Sequence, residues 1–226
     1  MPPDTHVFDI DSPKASYHPP PHACVRCPRL VAFLDESRAR HPDWFNGPVP
    51  SFGGLDARLL VVGLAPGLRG ANRTGRPFTG DFAGDVLYPT LIKFNLATGH
   101  YGACPSDGLQ LKNVRISNAV RCVPPENKPT PSEQKNCRSF LEAEIASMTN
   151  LKAILALGRI AHDAVLSTLG ERKSAWPFIH GALHAIPRRP TLVDTYHTSR
   201  YNVNTGRLTV TMFEDVVRSI LPVMPS

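Results

Sequence analysis

Four of the five cysteines have the spacing of a metal-binding set. Cys24 and Cys27 form a C-x₂-C pair, and Cys122 and Cys137 follow far downstream. A C-x₂-C turn presents two thiolates to one metal centre, and two distant cysteines close the site. The same thiolates suit an iron–sulfur cluster or a structural zinc ion, and spacing alone does not distinguish the two. We expect the remaining Cys104 to be a small, partly buried residue rather than a ligand.

A glycine-rich segment is the second feature that could do chemistry. Five glycines occur between Gly63 and Asp81. Glycines let the backbone approach a ligand closely and present its N–H groups. The segment has neither the Gly-Lys-Ser/Thr of a Walker A loop nor a G-x-G-x-x-G fingerprint. Taken alone, it indicates either a phosphate or nucleotide ligand or merely a tight turn.

The chain is basic, with a formal net charge of +6. A positive balance is compatible with a polyanionic partner, although many enzymes that bind no nucleic acid share it. Several arginines lie beside glycines in loops, where they could contact phosphates or simply be solvated. These are Arg69, Arg73, Arg76, Arg200 and Arg207.

The cellular compartment is predicted from signal-peptide and membrane-spanning patterns and from the cysteines. Residues 1–21 are rich in proline and have no signal-peptide pattern, so we interpret them as an extended arm. No apolar run approaches the roughly 20 residues needed to span a bilayer. We predict a cytoplasmic protein, where the cysteines stay reduced and form no disulfides.

Short apolar runs that alternate with helical patterns must position these residues. Such alternation predicts a three-layer α/β/α sandwich with a central, mainly parallel sheet of four strands, within one domain over residues 22–226. In such a sheet the ligand lies at the carboxyl ends of the strands. The predicted strands are Arg58–Gly63, Val114–Val120, Lys152–Leu157 and Thr191–Tyr196, and the predicted helices are Val25–Arg40, Gly84–Leu96, Thr130–Met148, Gly158–Leu169 and Arg207–Leu221.

Three segments in order resemble the motifs of one enzyme family. GLAPGLRGANRTGRPFTGD (residues 63–81) resembles the first motif of the uracil-DNA glycosylase superfamily, specifically its family 5 enzymes of bacteria and archaea. SNAVRCVPP (117–125), continued by NKP (127–129), is similar to the middle motif, and HTS (197–199) to the last. FIHG (178–181) also fits the pattern. Because the matches occur in the expected order over most of residues 24–217, the set is far more specific than any single match.

Two positions depart from related patterns. The sibling family 4 has a carboxylate at the position of Leu64, so any carboxylate function must lie elsewhere in this chain. The last motif more commonly reads His-Pro-Ser, and Thr198 replaces the proline here. We expect that replacement to loosen the loop.

The resemblance implies a role for each candidate catalytic residue. His197, just past the predicted fourth strand, would donate a hydrogen bond to the departing base. Phe78 would stack on that base, and Asn118 would bind its hydrogen-bonding edge. Asp81 would orient water or stabilise the sugar cation, cap a helix, or do both. The predicted substrate-binding set is Gly63, Leu64, Ala65, Phe78, Asn118, Ser199 and Arg207.

The resemblance also implies a cofactor and partners. It favours a [4Fe–4S] cluster on Cys24, Cys27, Cys122 and Cys137. It predicts a monomeric, monofunctional enzyme, with no obligatory protein partner, that excises uracil and other deaminated bases such as hypoxanthine from single- and double-stranded DNA. One alternative is a strictly uracil-directed enzyme like those of family 4. The other is a binder of damaged DNA that has lost catalytic activity. For His180 and His184, structural roles and roles near the base are equally compatible with the sequence.

Overall fold

The computed structural model describes residues 17–224. Residues 17–21 have no regular structure, and the remainder of the predicted arm, residues 1–16, lies outside the described part. The helices are α1 Pro28–Arg40, α2 Ala71–Thr74, α3 Phe82–Lys93, α4 Pro131–Ser147, α5 Arg159–Leu169, α6 Arg200–Asn204 and α7 Val210–Ile220. The strands are β1 Leu59–Gly63, β2 Ala97–Thr98, β3 Gln110–Leu111, β4 Val114–Asn118, β5 Ala153–Leu157, β6 Leu183–His184 and β7 Thr191–Thr195.

The four predicted strands form the centre of the main sheet, whose order is β4-β1-β5-β7-β6. The pairs β1–β4, β1–β5 and β5–β7 are parallel, which confirms the mainly parallel sheet. The predicted count of four was too low, because β6 adds a fifth strand antiparallel to β7. Two residues are too few to show a periodic pattern, so neither β6 nor the small β2–β3 ladder could be predicted.

The sheet is covered on both faces, as predicted. Every residue of β1, β4 and β5 is buried. Strands β1 and β5 are continuous apolar runs, as expected for strands covered on both faces, whereas β4 also buries Arg115, Ser117 and Asn118. Along β1, Leu59 and Val61 pack on the face that α3 and α7 cover. Leu60 and Val62 pack on the opposite face, against α4 and α5. Since successive side chains point to opposite faces, one five-residue strand contributes to both cores.

Helix starts are set by capping side chains rather than by apolar spacing. Asp81 caps α3, which begins two residues before the predicted start, and Thr209 caps α7, which begins three residues after the predicted start. In α4 the Thr130 hydroxyl accepts the backbone N–H of Glu133, whose carboxylate accepts that of Thr130 in return. No helix in residues 17–224 combines the length and apolarity that a bilayer crossing requires.

Candidate active site

The loops after β1, β4 and β7 converge on a cavity of about 390 Å³ at the carboxyl ends of the strands. This is the edge of a parallel sheet at which a ligand was predicted to lie. The cavity wall combines apolar residues with a few polar side chains, as small-molecule sites do. It is lined by Leu64, Ala65, Pro66, Gly67, Ala71, Phe78, Asp81, Phe82, Ala83, Asn118, Asn127, His197, Ser199 and Arg200.

The Phe78 ring and the Asn118 amide meet at the end of β1. A methyl group built on Gly63 would lie 2.4 Å from Cζ of Phe78 and 2.5 Å from Oδ1 of Asn118. Glycine at position 63 is therefore what lets both side chains reach the cavity. The aromatic face and the amide are the two groups that the sequence assigned to a base.

Asn118 carries an unused acceptor. The residue is 3 % exposed, and no group in residues 17–224 donates a hydrogen bond to its Oδ1. A buried acceptor left unsatisfied costs about 1–3 kcal/mol. Because this oxygen lies in the cavity wall, the cost would be relieved by a ligand that presents an N–H group.

His197 follows β7 and supplies a neutral imidazole. Burial lowers the pKa of its ring to about 4, so the ring is uncharged at neutral pH and has one N–H to donate. Within the described chain, no hydrogen bond engages that ring. The Asn202 amide instead donates to the main-chain carbonyl of His197 at 2.8 Å and holds the loop. The ring is thus held by its backbone and remains free for a ligand.

Thr198 does not leave this loop loose, contrary to the sequence-based expectation. It is fully buried, and its hydroxyl donates to the carbonyl oxygen of Ala83 at 3.3 Å. Proline has no group that could make this bond. The threonine therefore connects the His197 loop to the first turn of α3.

Asp81 is both a helix cap and part of the cavity wall. Its Oδ1 accepts the backbone N–H groups of Ala83 at 3.1 Å and Gly84 at 3.4 Å. A methyl group on Gly70 would lie 2.3 Å from the other oxygen, Oδ2. Burial raises the pKa of Asp81, and these two backbone bonds only partly oppose the effect. The side chain therefore caps α3, and its place in the cavity wall is where the catalytic role predicted for it would be exercised.

The remaining predicted substrate-binding residues divide between two neighbouring cavities. Leu64, Ala65 and Ser199 line the first. Arg207 lines a second cavity of about 530 Å³, which shares Leu64 and His197 with the first. Its guanidinium lies 4.7 Å from the centre of the Tyr196 ring.

The structure gives both uncertain histidines structural contacts. His180 Nδ1 accepts the backbone N–H of Tyr196 at 3.2 Å, and the two rings stack. His184 Nε2 contacts the buried carboxylate of Asp194 at 2.8 Å, and His162 Nδ1 contacts the same carboxylate at 2.7 Å. Neither Asp194 nor His162 was predicted to matter, because they lie 32 residues apart and no local pattern connects them.

Two polar residues outside the predicted substrate-binding set also line the first cavity. Asn127 lies at its mouth in a left-handed backbone conformation (φ 56°), directly after Glu126 (φ 54°). Arg200 lies there as well, with its guanidinium over the Phe82 ring. Asn127 begins the NKP segment that continues the middle motif, and asparagine tolerates the positive φ that this position requires.

One loop arginine is neither solvated nor free to bind phosphate. Arg76 is 6 % exposed and forms a bidentate pair with Asp107, at 2.8 and 2.6 Å. The prediction that it contacts phosphate is therefore wrong. The partner lies 31 residues along the chain, so no local pattern could have revealed the pair.

The four predicted ligand cysteines converge on a separate small cavity beside α1, and all four are free thiols. Burial raises the pKa of Cys122 to about 12, and the other three cysteines add to that effect. The Asn136 amide lies 3.7 Å from the sulfur of Cys27, and the backbone N–H of Arg121 bonds the sulfur of Cys137. Four convergent thiols, two of them with N–H donors to their sulfurs, form a donor set that suits an iron–sulfur cluster or a zinc ion.

Cys104 is separate from this set. It is exposed, and its sulfur lies 3.1 Å from the Ser106 hydroxyl. The prediction that it is partly buried is wrong, whereas its exclusion from the ligand set agrees with the structure.

Comparison with known proteins agrees with this geometry. Residues 50–221 match the family model of the uracil DNA glycosylase superfamily. The type-5 uracil-DNA glycosylase of Thermus thermophilus is 47% identical over 201 residues, which cover 86% of this chain and 91% of the relative. The type-5 enzyme of Pyrobaculum aerophilum is 42% identical, with 86% of each chain covered. A type-4 enzyme of Thermotoga maritima is 39% identical over 110 residues, about half of each chain. The chain therefore belongs to the uracil-DNA glycosylase superfamily, in its type-5 branch.

Proposed function

We propose that this protein is a DNA glycosylase that excises uracil by hydrolysing its N-glycosidic bond and so initiates base excision repair. The observation that carries the proposal is the cavity at the strand ends. It brings together an aromatic ring, an unsatisfied amide oxygen and an uncharged imidazole without a hydrogen-bond partner in residues 17–224. Membership of the type-5 branch supports the same activity.

Each of the three groups has a partner on a flipped base. A base within a duplex is inaccessible, so the enzyme must extrude it into a pocket. There the Phe78 ring stacks on the base, and Asn118 Oδ1 accepts the imide N–H of uracil. The His197 N–H donates to a carbonyl oxygen of uracil, where negative charge grows as the bond to the sugar breaks.

Asp81 acts on the sugar side of that bond. The departing base leaves positive charge on the sugar, and a carboxylate nearby stabilises the charge or orients the attacking water. Leu64 can do neither, so Asp81 is the acidic group available in the wall of this cavity. Among the residues that line it there is no lysine to form a Schiff base, so we propose a monofunctional enzyme that leaves an abasic site.

We also propose that this pocket accepts bases larger than uracil. Small residues at Ala65, Gly67 and Ala71 form part of its wall, and about 390 Å³ is open. This space supports the proposal that hypoxanthine, a bicyclic base, is also a substrate. A strictly uracil-directed pocket would need bulk where these small residues lie.

The function is tested by incubating purified protein with uracil-containing DNA in the presence of a chelator. We expect free uracil and an abasic site in the product. Binding without release would instead identify a non-catalytic binder of damaged DNA. Release that stops when free divalent cations are removed would indicate a metal-dependent hydrolase.

We further propose that Cys24, Cys27, Cys122 and Cys137 hold a [4Fe–4S] cluster. The cluster would supply a structural crosslink between the start of α1 and the middle of the chain. We expect brown protein with iron and acid-labile sulfide near cluster stoichiometry. Cys122→Ser should abolish the colour, whereas Cys104→Ser should retain it. Colourless wild-type protein with one zinc ion would contradict the proposal.

DNA is the proposed partner in both single- and double-stranded form. Arg200 at the cavity mouth and Arg207 beside it would neutralise phosphates, and each such contact contributes about −0.9 to the slope of log affinity against log salt on duplex DNA. Arg200→Gln should therefore reduce the slope by about 0.9. Arg58→Gln is the control, because Arg58 precedes β1 at the opposite edge of the sheet. Equal slopes for wild type and Arg200→Gln would exclude Arg200 as a phosphate contact.

We propose that residues 22–226 act as a single catalytic domain and as a monomer without an obligatory protein partner. Reduced cysteines and a chromosomal substrate support the cytoplasm as its compartment, with no association with membranes.

A further inference from the structure

The backbone of Phe78 has a conformation that its side chain disfavours. Its φ is 51°, in the left-handed region that aromatic residues rarely adopt. Such a conformation persists only where the surrounding structure holds it, and it often occurs at functional sites. The question is therefore which groups hold Phe78.

Two tyrosine hydroxyls hold the main chain at this point. The Tyr88 hydroxyl, on α3, donates to the carbonyl oxygen of Pro77 at 2.5 Å. The Tyr101 hydroxyl donates to the carbonyl oxygen of Phe78 at 3.2 Å. The two rings stack with centres 4.7 Å apart. The carbonyl groups of two consecutive residues, Pro77 and Phe78, are thus held by two tyrosines that stack on each other.

Close packing against α3 restricts where the Tyr101 side chain can lie. A methyl group on Gly84 would lie 1.9 Å from the Phe78 carbonyl oxygen and 2.3 Å from the Tyr101 hydroxyl. The backbone of α3 at Gly84 therefore forms one wall of this contact, and no side chain fits there.

A buried ion pair fixes the loop that carries Tyr101. The Asp107 carboxylate accepts two bonds from Arg76 and the backbone N–H groups of Gly102 and Leu109, at 2.9 and 3.0 Å. The Arg76 guanidinium also lies 5.9 Å from the Tyr101 ring centre. Since Arg76 directly precedes Pro77, the pair ties this loop to the segment that presents Phe78.

We propose that Tyr101, supported by Tyr88 and the Arg76–Asp107 pair, is a positioning residue that sets the Phe78 ring for stacking on the flipped base. The inference rests on the proposed glycosylase function. It assigns to the Tyr101 hydroxyl an effect on the chemical step that is transmitted through Phe78 alone. Burial raises the pKa of Tyr101 to about 12, so the hydroxyl keeps the proton that it donates throughout the working pH range.

Tyr101→Phe removes this hydroxyl and leaves the ring. We expect the single-turnover rate constant for uracil release to fall about tenfold, the equivalent of one lost hydrogen bond, with unchanged affinity for DNA. Tyr17→Phe is the matched control, because the Tyr17 hydroxyl contacts Ser51 at 3.5 Å and the Arg121 side chain, and none of these three residues lines the cavity. A merely structural role would lower the melting temperature or the active fraction but would leave the rate constant intact, and that result would overturn the proposal.

A double-mutant cycle tests whether Tyr101 acts through Phe78. In a Phe78→Ala background, Tyr101→Phe should have no further effect on the rate constant, because the ring it positions is gone. Multiplicative effects of the two changes would show that Tyr101 acts independently and would contradict the proposal. If wild-type protein releases no uracil at all, the proposed function itself fails. A wild-type rate that Tyr101→Phe leaves unchanged refutes only the positioning role.

Discussion

His197→Ala is expected to slow single-turnover uracil release by roughly 10² or more, the effect of removing one preorganised donor to a developing oxyanion. The His197 ring is half-buried, neutral and without a hydrogen-bond partner in residues 17–224, so the substrate base is its available acceptor. DNA affinity should change far less, because the bond strengthens only as charge develops on the leaving base. Equal losses in affinity and rate would make His197 a ground-state contact.

The pH dependence separates a neutral donor from a charged one. Because the pKa of His197 is about 4 in the folded protein, its titration should leave the rate unaffected near neutral pH. A break in the rate near the usual histidine pKa of 6.5 that disappears in His197→Ala would contradict this.

Stability should show the same depressed pKa. As pH falls, the unfolded chain takes up a proton at His197 before the native state does. The contribution of neutral His197 to the free energy of unfolding is therefore fully present above pH 6.5 and is lost as pH falls toward about 4. His197→Ala should remove that part of the acid sensitivity in thermal melts.

Asp81→Asn is expected to cause the second large loss, roughly 10² in single-turnover uracil release, at the lower end of the range for groups that assist proton transfer. Asparagine keeps the shape and much of the capping ability but removes the charge that would stabilise the sugar cation. Asp85→Asn is the matched control, because Asp85 is an exposed carboxylate in the first turn of the same helix. Equal loss in both variants would indicate a general field effect rather than a role specific to Asp81.

Stability should move in the opposite direction to activity. Burial raises the pKa of Asp81 in the folded state. The contribution of its protonated carboxyl to the free energy of unfolding is therefore fully present below the pKa of the unfolded chain, and it is lost as pH rises through the pKa of the folded state. Ionising this buried carboxyl therefore costs stability, and Asp81→Asn should melt at the same temperature as wild type or higher. Asp81→Ala should lose about 0.5–2 kcal/mol through the missing cap.

The choice of base offers a further distinction for Asp81. The two bases leave at different rates, so water placement can limit the release of one base and not that of the other. If Asp81→Asn impairs the release of only one base, the carboxylate serves the base whose departure needs more help. Unchanged rates on both bases, with a lower melting temperature for Asp81→Ala alone, would reduce Asp81 to a helix cap.

Local patterns were sufficient for the features whose cause is local. The apolar run Leu59–Gly63 predicts a buried strand because both of its faces need cover, and His197 follows β7 at the edge where a parallel sheet binds its ligand. The Cys24–Cys27 pair and two distant cysteines predict a convergent set, which the structure confirms as a convergence of thiols. Helix starts were misplaced by two or three residues at Asp81 and Thr209, because a cap depends on a single side chain and not on a period.

Only the tertiary structure decided which polar side chains are free to act. Arg76 was expected to contact phosphate or to be solvated, but it forms an ion pair with Asp107 from a distant loop. Thr198 was expected to loosen its loop, but its hydroxyl reaches the first turn of α3. Conversely, Asn118 and His197 keep unused hydrogen-bonding groups, although their neighbours in sequence resemble those of any strand end. The physical reason is that hydrogen bonds and ion pairs join residues far apart in the chain, so the partner that occupies or frees a polar group is set by packing.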